Sequence, residues 1–252
     1  ANLLLSPAEF AKEINVVMEE RRMRTEDSAQ AKLYEALMAT AFQTHPYRHP
    51  VIGWMDDLKN MTVDDARRWY ERWYAPNNAT LVVAGDVDPA QVMVWATQYF
   101  GGIPAHALPE RKPQREPEQL GMKAVTVKAP AKQPVVALAW QAPRLNDPQA
   151  DWEPYALEIL AGVLDGHASA RFNQSLVREK RIATDVGAGF DAISRGPAMF
   201  IADATPVEGQ SVSVVEAALK EEIARLVKDG VSEAELNRVK AQVLAGQVFQ
   251  QD

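Results

Sequence analysis

The alternation of apolar and polar residues divides the chain into two blocks of helices and strands. In the first block, apolar residues at helical spacing predict helices at 7–24, 28–43, 63–74 and 89–100, and a short apolar run predicts a strand at 79–85. In the second block, the pattern predicts strands at 123–129, 133–141, 184–193 and 196–205 and helices at 150–164, 168–180, 210–229 and 232–250. Antiparallel strands with helices packed on one face form an α+β sandwich.

A proline-rich segment separates the two blocks. Between Gly101 and Gly121, four prolines alternate with charged residues, a composition that excludes the interior of a helix or a sheet. We therefore predict a first domain at 1–102, an extended linker at 103–122 and a second domain at 123–252.

Composition excludes several classes of function. The net charge of −7 argues against a nucleic-acid surface, and no cluster of Lys or Arg contradicts this. The absence of cysteine excludes disulfides, thiolate metal sites and cysteine nucleophiles. No apolar run approaches the ~20 residues that a membrane span requires. At 47% apolar residues, the chain can build ordinary buried cores.

The helix predicted at 7–24 carries two carboxylates on one line. Ser6 as N-cap, Pro7 at the first helical position and Glu9 three residues after the cap form a helix start signal. Positions seven apart nearly superimpose on a helix, so Glu13 and Glu20 lie together beside the apolar stripe, whereas Glu19, Arg21 and Arg22 are predicted to point away. A half-buried carboxylate needs a cation, a metal or hydrogen-bond donors. From the helix alone, salt bridges to a neighbouring helix and a metal site both remain open.

A longer series of motifs resembles a known family. His45 to Val92 contains, in order, HPY and P-x-x-G ending at Gly53, T-x-x-D at 62–65, a helix with aromatic pairs at 69–70 and 73–74, APNN at 75–78 and GDVD at 85–88. This series resembles the second half of the catalytic domain of the pitrilysin-type zinc peptidases, or inverzincins, which include the mitochondrial processing peptidases. The resemblance implies two homologous α+β sandwich domains, the first of them incomplete here.

By this resemblance, Glu20 is the third zinc ligand. The family pattern around that ligand is E-x-x-V-[VI]-x-x-E, and Glu13, Val16, Val17 and Glu20 match it position by position. In the family the final glutamate binds zinc and the first supports it without touching the metal, which implies that role for Glu13. The helical phase favours Glu20 over its neighbour Glu19, since Glu19 lies about 100° from the line through Glu13.

The other ligands that the family uses are not in this sequence. The family takes two histidines and its catalytic glutamate from an H-x-x-E-H helix, and no such motif is present around the chain's histidines, His45, His49, His106 and His167. The prolines at 46 and 50 forbid a regular helix that would pair His45 with His49, so we interpret these two as loop residues. We expect the chain to be a fragment of a longer, exported protein, periplasmic by resemblance, with a cytoplasmic location as the alternative.

The resemblance also implies a substrate-holding pair that this chain has lost. The segment from Ser169 to Val186 resembles the family's S-R-L-x-x-x-L-R-E-x-x-G-L-A-Y-S-V, and the family's arginine and tyrosine fall on Val177 and Thr184. Arg178 could replace the arginine only if the helix register shifted. We therefore expect a second, related subunit to supply the pair. No catalytic residue is then expected in this chain.

The sequence thus predicts that the longer protein is a zinc-dependent endopeptidase that hydrolyses peptides with a metal-activated water. The chain alone is expected to be inactive and to bind no zinc. The alternative is a non-catalytic assembly subunit of the same fold, favoured by the loss at Val177 and Thr184 and opposed by the retention of Glu13 and Glu20.

Overall fold

The structure, a computed structural model, describes residues 3–249 apart from the side chain of residue 247. It combines helices with a small antiparallel sheet, as predicted. The α-helices are α1 (Pro7–Arg21), α2 (Ala29–Ala41), α3 (Met55–Asn60), α4 (Val63–Trp73), α5 (Pro89–Phe100), α6 (Glu153–Asp165), α7 (Val212–Asp229) and α8 (Glu233–Phe249). The strands are β1 (Val136–Ala142), β2 (Ala183–Phe190) and β3 (Ala198–Pro206).

Helix starts follow the capping signals in the sequence. The Ser6 hydroxyl accepts a hydrogen bond from the Glu9 amide at 3.1 Å, at the start of α1. At the start of α4, Thr62 and Asp65 exchange hydrogen bonds in a reciprocal capping box. Such caps satisfy amides that have no partner within the helix, which is why these boundaries were predictable.

The chain folds into two compact units. One contains the residues up to Ser28 together with His49–Arg115, and the other contains Ala29–Arg48 together with the chain from Glu116 onwards. Helix α2, which sequence order assigns to the first block, therefore clusters with the second block. The predicted domain boundaries at 102 and 123 remain a prediction.

The sheet of the second unit has the order β1-β3-β2, with both pairs antiparallel. Side chains alternate along β3, and its even-numbered residues are buried. Phe200, Ala202 and Ala204 pack with α6, α7 and the segment around Leu176 to form the core; other members include Leu164, Phe172, Val186, Val215 and Leu219. The core thus lies on one face of the sheet.

Helix α2 contacts the opposite face of this sheet. The Tyr34 hydroxyl donates a hydrogen bond to the Asp203 carboxylate at 3.1 Å. Burial, together with the nearby Asp203 charge, raises the pKa of Tyr34 to about 12. Burial also raises the pKa of Asp203, with repulsion from Asp185 adding to it and the Tyr34 hydrogen bond opposing it. Asp203 alternates with the core residues along β3 and therefore lies on the other face of the sheet. Helices thus pack against both faces.

Several predicted elements take a different form. No strand forms at 79–85 or 123–129, because neither segment has a partner strand among residues 3–249. The first predicted helix ends at Arg21, and a π-helix follows at Arg22–Glu26. The helix predicted at 168–180 is instead largely a π-helix, Asn173–Glu179. The helices predicted at 63–74 and 89–100 are confirmed.

No helix in residues 3–249 combines the length and the apolar character needed to cross a membrane.

Candidate metal-binding helix

Helix α1 is anchored through Arg21, the one residue of the helix that is fully buried. Its exposed fraction is 5%. The guanidinium donates a hydrogen bond to the Gly53 carbonyl at 2.8 Å and lies 5.8 Å from the Trp54 ring centre. A buried guanidinium needs such acceptors and aromatic surfaces to offset the loss of water. Arg21 therefore fixes the position of α1 against the segment after His49.

The prediction that Arg21 points away from the packed side of α1 is wrong. Phe10, Ile14, Val17 and Arg21 follow one another at spacings of three and four, so Arg21 continues the apolar stripe. Sequence reasoning missed this because it classed arginine as a solvent-facing residue. The spacing itself was the signal that could have identified Arg21.

The two candidate carboxylates lie on the solvent side of this anchor. Glu20 retains 40% of its side-chain exposure and binds the Arg24 guanidinium at 3.1 Å, one turn further along. The sequence predicted that both carboxylates lie half-buried beside the apolar stripe of α1. Glu20 meets this expectation in part, whereas Glu13 is exposed. Glu19 pairs instead with Arg22 at 2.7 Å. Glu19 and Glu20 thus bind different arginines and point in different directions.

Glu20 is chemically suited to hold a metal ion. A glutamate carboxylate is one of the zinc ligands that proteins use, and among residues 3–249 Glu20 pairs with Arg24, whose side chain is 71% exposed. Such surface pairs contribute about 0–1 kcal/mol, so little free energy opposes exchange of Arg24 for a cation. Within residues 3–249, no group of three or more His, Asp or Glu side chains could hold a metal ion. Glu20 therefore fits as one ligand and does not complete a site alone.

Each histidine has a local role in the fold. His45 packs against Phe42 and Tyr47, with ring centres 5.7 and 4.5 Å away. His49 accepts a hydrogen bond from the Trp54 indole at 3.2 Å. His167 accepts one from the Ser169 amide at 3.0 Å. The His106 carbonyl accepts a hydrogen bond from the side-chain amide of Asn77, and the His106 amide donates one to the side-chain oxygen of Asn77. These contacts are those of loop and capping residues, in agreement with the interpretation of His45 and His49 as loop residues.

The segment predicted to have lost the substrate-holding pair contains a change of helical register. Val177 packs against the core, and the Thr184 hydroxyl donates to the Thr205 carbonyl at 3.2 Å. The amide of Lys180 binds the Ser175 carbonyl, five residues back, as in a π-helix. Because the π-helical hydrogen bond spans one more residue than an α-helical one, the side chains that follow are shifted by about one position around the helix. Arg178, the next residue after Val177, is exposed.

A buried carboxylate on α7 contacts the π-helix. Glu222 of α7 is 2% exposed and accepts a hydrogen bond from the Ser175 hydroxyl at 2.6 Å. The Arg225 guanidinium lies 3.1 Å from the same Glu222 oxygen. A buried carboxylate with two donors is satisfied, so Glu222 positions the π-helix and is not a free catalytic group. The sequence pattern contained no signal for this pair.

The fold is that of a known class of peptidases. The crystal structure of a protease from Helicobacter pylori superimposes with a TM-score of 0.85 at 28% identity, covering 98% of this chain and 59% of that chain. The periplasmic protease PqqL from Escherichia coli superimposes with a TM-score of 0.73 at 21% identity, covering 98% of this chain and 28% of that chain. The second likeness, at its lower identity, shows the fold alone.

The sequence comparison then defines the family. The family described as Peptidase M16 inactive domain matches residues 60–243, more than half of the chain. The chain therefore belongs to the M16 peptidase family, which confirms the predicted resemblance.

Its relatives are longer proteins. The zinc protease PqqE of Helicobacter pylori is 31% identical over 245 residues, which are 95% of this chain and 53% of PqqE. A zinc protease of Mycobacterium leprae is 28% identical over 237 residues, 93% of this chain and 52% of that protein. The chain thus spans about half the length of these relatives.

Proposed function

We propose that the longer protein to which this chain belongs is a zinc-dependent endopeptidase, with Glu20 as one zinc ligand and Glu13 as its supporting carboxylate. The observation that carries the proposal is the combination of the Glu13–Glu20 pattern with a Glu20 carboxylate held only by an exposed ion pair. The names of relatives such as the zinc protease PqqE support the same activity. The chain alone, with no H-x-x-E-H motif, is inactive in this proposal.

The contribution of this chain is to position one ligand. Arg21, anchored on Gly53 and Trp54, fixes the rotation of α1 and so the direction of the Glu20 side chain. Glu20 would hold the metal ion through its carboxylate once Arg24 had released the oxygen that it binds. Zinc, when bound, lowers the pKa of its water and polarises the scissile carbonyl. The histidine ligands and the general base come from other parts of the longer protein.

Arg178 is proposed as the substrate-holding arginine that Val177 cannot provide. Arg178 follows Val177 within the π-helix Asn173–Glu179, and Arg178 is exposed while Val177 is packed against the core. A guanidinium stabilises negative charge on a carbonyl oxygen during hydrolysis. Thr184 has no phenol, so a second, related subunit would supply the tyrosine.

The proposed substrates are unfolded peptides. An extended peptide pairs with an edge strand through backbone hydrogen bonds that do not depend on sequence, whereas a folded domain has no free backbone to offer. A periplasmic location is part of the proposal and rests on the periplasmic protease PqqL of Escherichia coli, which has the same fold.

A second candidate is a non-catalytic assembly subunit of the same fold. The family description that matches this chain is that of an inactive domain, and Val177 and Thr184 stand where active members have arginine and tyrosine. In this alternative, Glu20 has only a structural role, as the partner of Arg24.

Hydrolysis of unstructured fluorogenic peptides by the full-length protein separates the two candidates. We expect activity that a chelator abolishes and that Glu20→Gln lowers by about 100-fold or more, with little change for the matched neighbour Glu19→Gln. Arg178→Ala is expected to lower kcat by about 10- to 100-fold, while Arg238→Ala, at an exposed position on α8, has no effect. Equal activity of the Glu20→Gln and unmodified proteins would contradict the zinc-ligand role, and absence of activity even with related subunits added would favour the assembly subunit.

A further inference from the structure

Arg181, the second residue after the π-helix Asn173–Glu179, has a backbone conformation that arginine rarely adopts. Its φ is +52°, and within residues 3–249 it is the one residue other than glycine with a positive φ. This left-handed region is unfavourable for a residue with a Cβ, and a bulky side chain there is an outlier. Helices commonly place glycine directly after their last turn for this reason. Arginine is therefore an unfavourable residue for the backbone at this position.

The fold imposes the left-handed conformation on Arg181. The Ile182 amide donates a hydrogen bond to the Leu176 carbonyl at 3.0 Å, which closes the end of the π-helix across Arg181. Leu176 and Ala183, on either side of the turn, are 0% and 2% exposed and belong to the core. A strained residue persists where its surroundings fix the chain in this way. Glycine would make the same turn without strain, so the turn alone gives no reason for an arginine.

The Arg181 side chain lies beside Arg178, the residue proposed to hold the substrate carbonyl. The Nε of Arg181 donates to the Arg178 backbone carbonyl at 3.4 Å, and both arginines are exposed. Two guanidinium groups are thus presented to solvent at the same end of the π-helix.

The acidic side chains close to the two arginines have partners of their own. Glu179 accepts a hydrogen bond from the Gln174 side-chain amide at 2.9 Å, and Glu221 binds the Lys180 ammonium. In the described part of the chain, neither of the two arginines forms an ion pair with a carboxylate. A guanidinium presents its donors in a planar fork that matches the two oxygens of a carboxylate. The charge and the donors of Arg181 therefore remain available to a carboxylate of another molecule.

We propose that Arg181 is a specificity residue that binds a carboxylate of the peptide substrate, next to the carbonyl oxygen held by Arg178. The carboxylate is that of an acidic side chain or of the peptide C-terminus. This inference rests on the proposed function, because it assigns the missing partner of Arg181 to the substrate. A requirement for the guanidinium explains why an arginine stands where glycine would be less strained, since strained residues cluster at functional sites.

Peptide binding to the full-length protein, treated with a chelator so that no hydrolysis occurs, tests the proposal by fluorescence anisotropy. The probes are an unstructured peptide with one glutamate and an amidated C-terminus, its glutamine counterpart, and the glutamine peptide with a free C-terminus. We expect one of the two carboxylate-bearing peptides to bind about 10-fold or more tightly than the amidated glutamine peptide, and the tighter of the two identifies the source of the carboxylate. Equal binding of all three peptides would overturn the proposal.

Variants of Arg181 separate recognition of charge from a structural role. Arg181→Gln removes the charge and keeps the strained conformation, whereas Arg181→Gly removes both. We expect both variants to lose the preference for the carboxylate, and Arg181→Gly to be at least as stable as the unmodified protein in urea unfolding. Arg238→Gln, at an exposed position on α8, is the matched control and is expected to change neither property. A preference that survives in both Arg181 variants, or a loss of stability in Arg181→Gly without a change in preference, would overturn the proposal.

Hydrolysis of the same peptides by the zinc-loaded full-length protein distinguishes this inference from the proposed function. A preference in kcat/KM for the carboxylate-bearing peptide, abolished in Arg181→Gly, supports both. Hydrolysis of all three peptides with equal kcat/KM contradicts the carboxylate site and leaves the peptidase activity in place. Absence of hydrolysis, together with carboxylate-dependent binding that requires Arg181, contradicts the peptidase activity and supports the carboxylate site.

Discussion

At the scale of single residues, Arg171 and Glu235 form an ion pair that holds the start of α8 in the second unit. The guanidinium donates to both Glu235 oxygens at 2.9 and 3.0 Å and to the Gly230 carbonyl at 2.9 Å. The hydrogen bond from Arg171 lowers the pKa of Glu235 from 4.5 to about 2, and Ser232 adds to the shift while burial opposes it. The pair joins the start of α8 to the turn before the π-helix.

The ion pair between Arg171 and Glu235 makes the free energy of unfolding depend on pH. Because the folded pKa of Glu235 lies below the unfolded value, its stabilisation is present above pH 4.5 and is lost as the pH falls towards 2. We expect Glu235→Gln to lower the free energy of unfolding by about 1–3 kcal/mol at pH 7, and by progressively less between pH 5 and pH 3. Urea denaturation at several pH values measures the difference.

The neighbour Glu233→Gln is the control for that experiment, since Glu233 is exposed in the first turn of the same helix. A Glu235→Gln effect of equal size at pH 7 and pH 3 would contradict the charge-based account and leave only the helix cap as its cause.

Sequence predicted the candidate carboxylates at this scale but not their surroundings. The spacing of Glu13 and Glu20 is a property of the helix alone and follows from its period. The pairing of Glu20 with Arg24 joins residues four apart on one helix, so local spacing could have indicated it. The burial of Arg21 needs Gly53 and Trp54, which are distant in sequence, and does not follow from local pattern.

At the scale of elements, the connection between β2 and β3 is held by the HPY motif. The Tyr47 hydroxyl accepts hydrogen bonds from the amides of Arg195 and Gly196, both at 3.0 Å. The Glu116 carboxylate in turn accepts from the amides of Gln43, Thr44 and His45. Burial raises the pKa of Glu116, and these amides outweigh it, so the pKa lies below its usual value. The motif therefore has a structural role in positioning this connection.

A glycine comparison tests how tightly the motif packs. A Cβ at Gly196 would lie 2.2 Å from Cε1 of His45, a ring that packs against Phe42 and Tyr47. We expect Gly196→Ala to lower the free energy of unfolding by about 1–3 kcal/mol. At Gly189, on β2, a Cβ meets nothing within 4 Å, so Gly189→Ala is expected to be neutral or stabilising. Thermal or urea unfolding of both variants measures the contrast, and equal effects would show that the connection moves to make room.

The elements also show which predictions local sequence can support. Helices with caps at Ser6 and Thr62 begin where predicted, because capping and helical period are local properties. The strands predicted at 79–85 and 123–129 do not form, because a strand requires a partner and none is available among residues 3–249. Ser175 of the π-helix Asn173–Glu179 donates a hydrogen bond to the buried Glu222, a contact that is also non-local.

At the scale of the whole molecule, the described residues form two units. The second unit has a core of its own on one sheet face, and β1 and β2 are the edge strands of its three-stranded sheet. In the first unit, many large apolar residues between 81 and 100 are exposed, among them Val82, Met93, Trp95 and Tyr99. Exposed apolar surface on this scale is typical of interfaces. Both features are consistent with a chain that spans about half of its relatives' length.

The zinc content of the full-length protein, measured by elemental analysis, tests the central proposal most directly. We expect about one zinc per molecule, retained in Glu19→Gln and lost or reduced at least about 10-fold in Glu20→Gln, with circular dichroism confirming that both variants fold. Glu13→Gln is expected to weaken zinc binding without abolishing it. Full zinc occupancy in a folded Glu20→Gln protein, or no zinc in the unmodified full-length protein, would contradict the assignment of Glu20 as a zinc ligand.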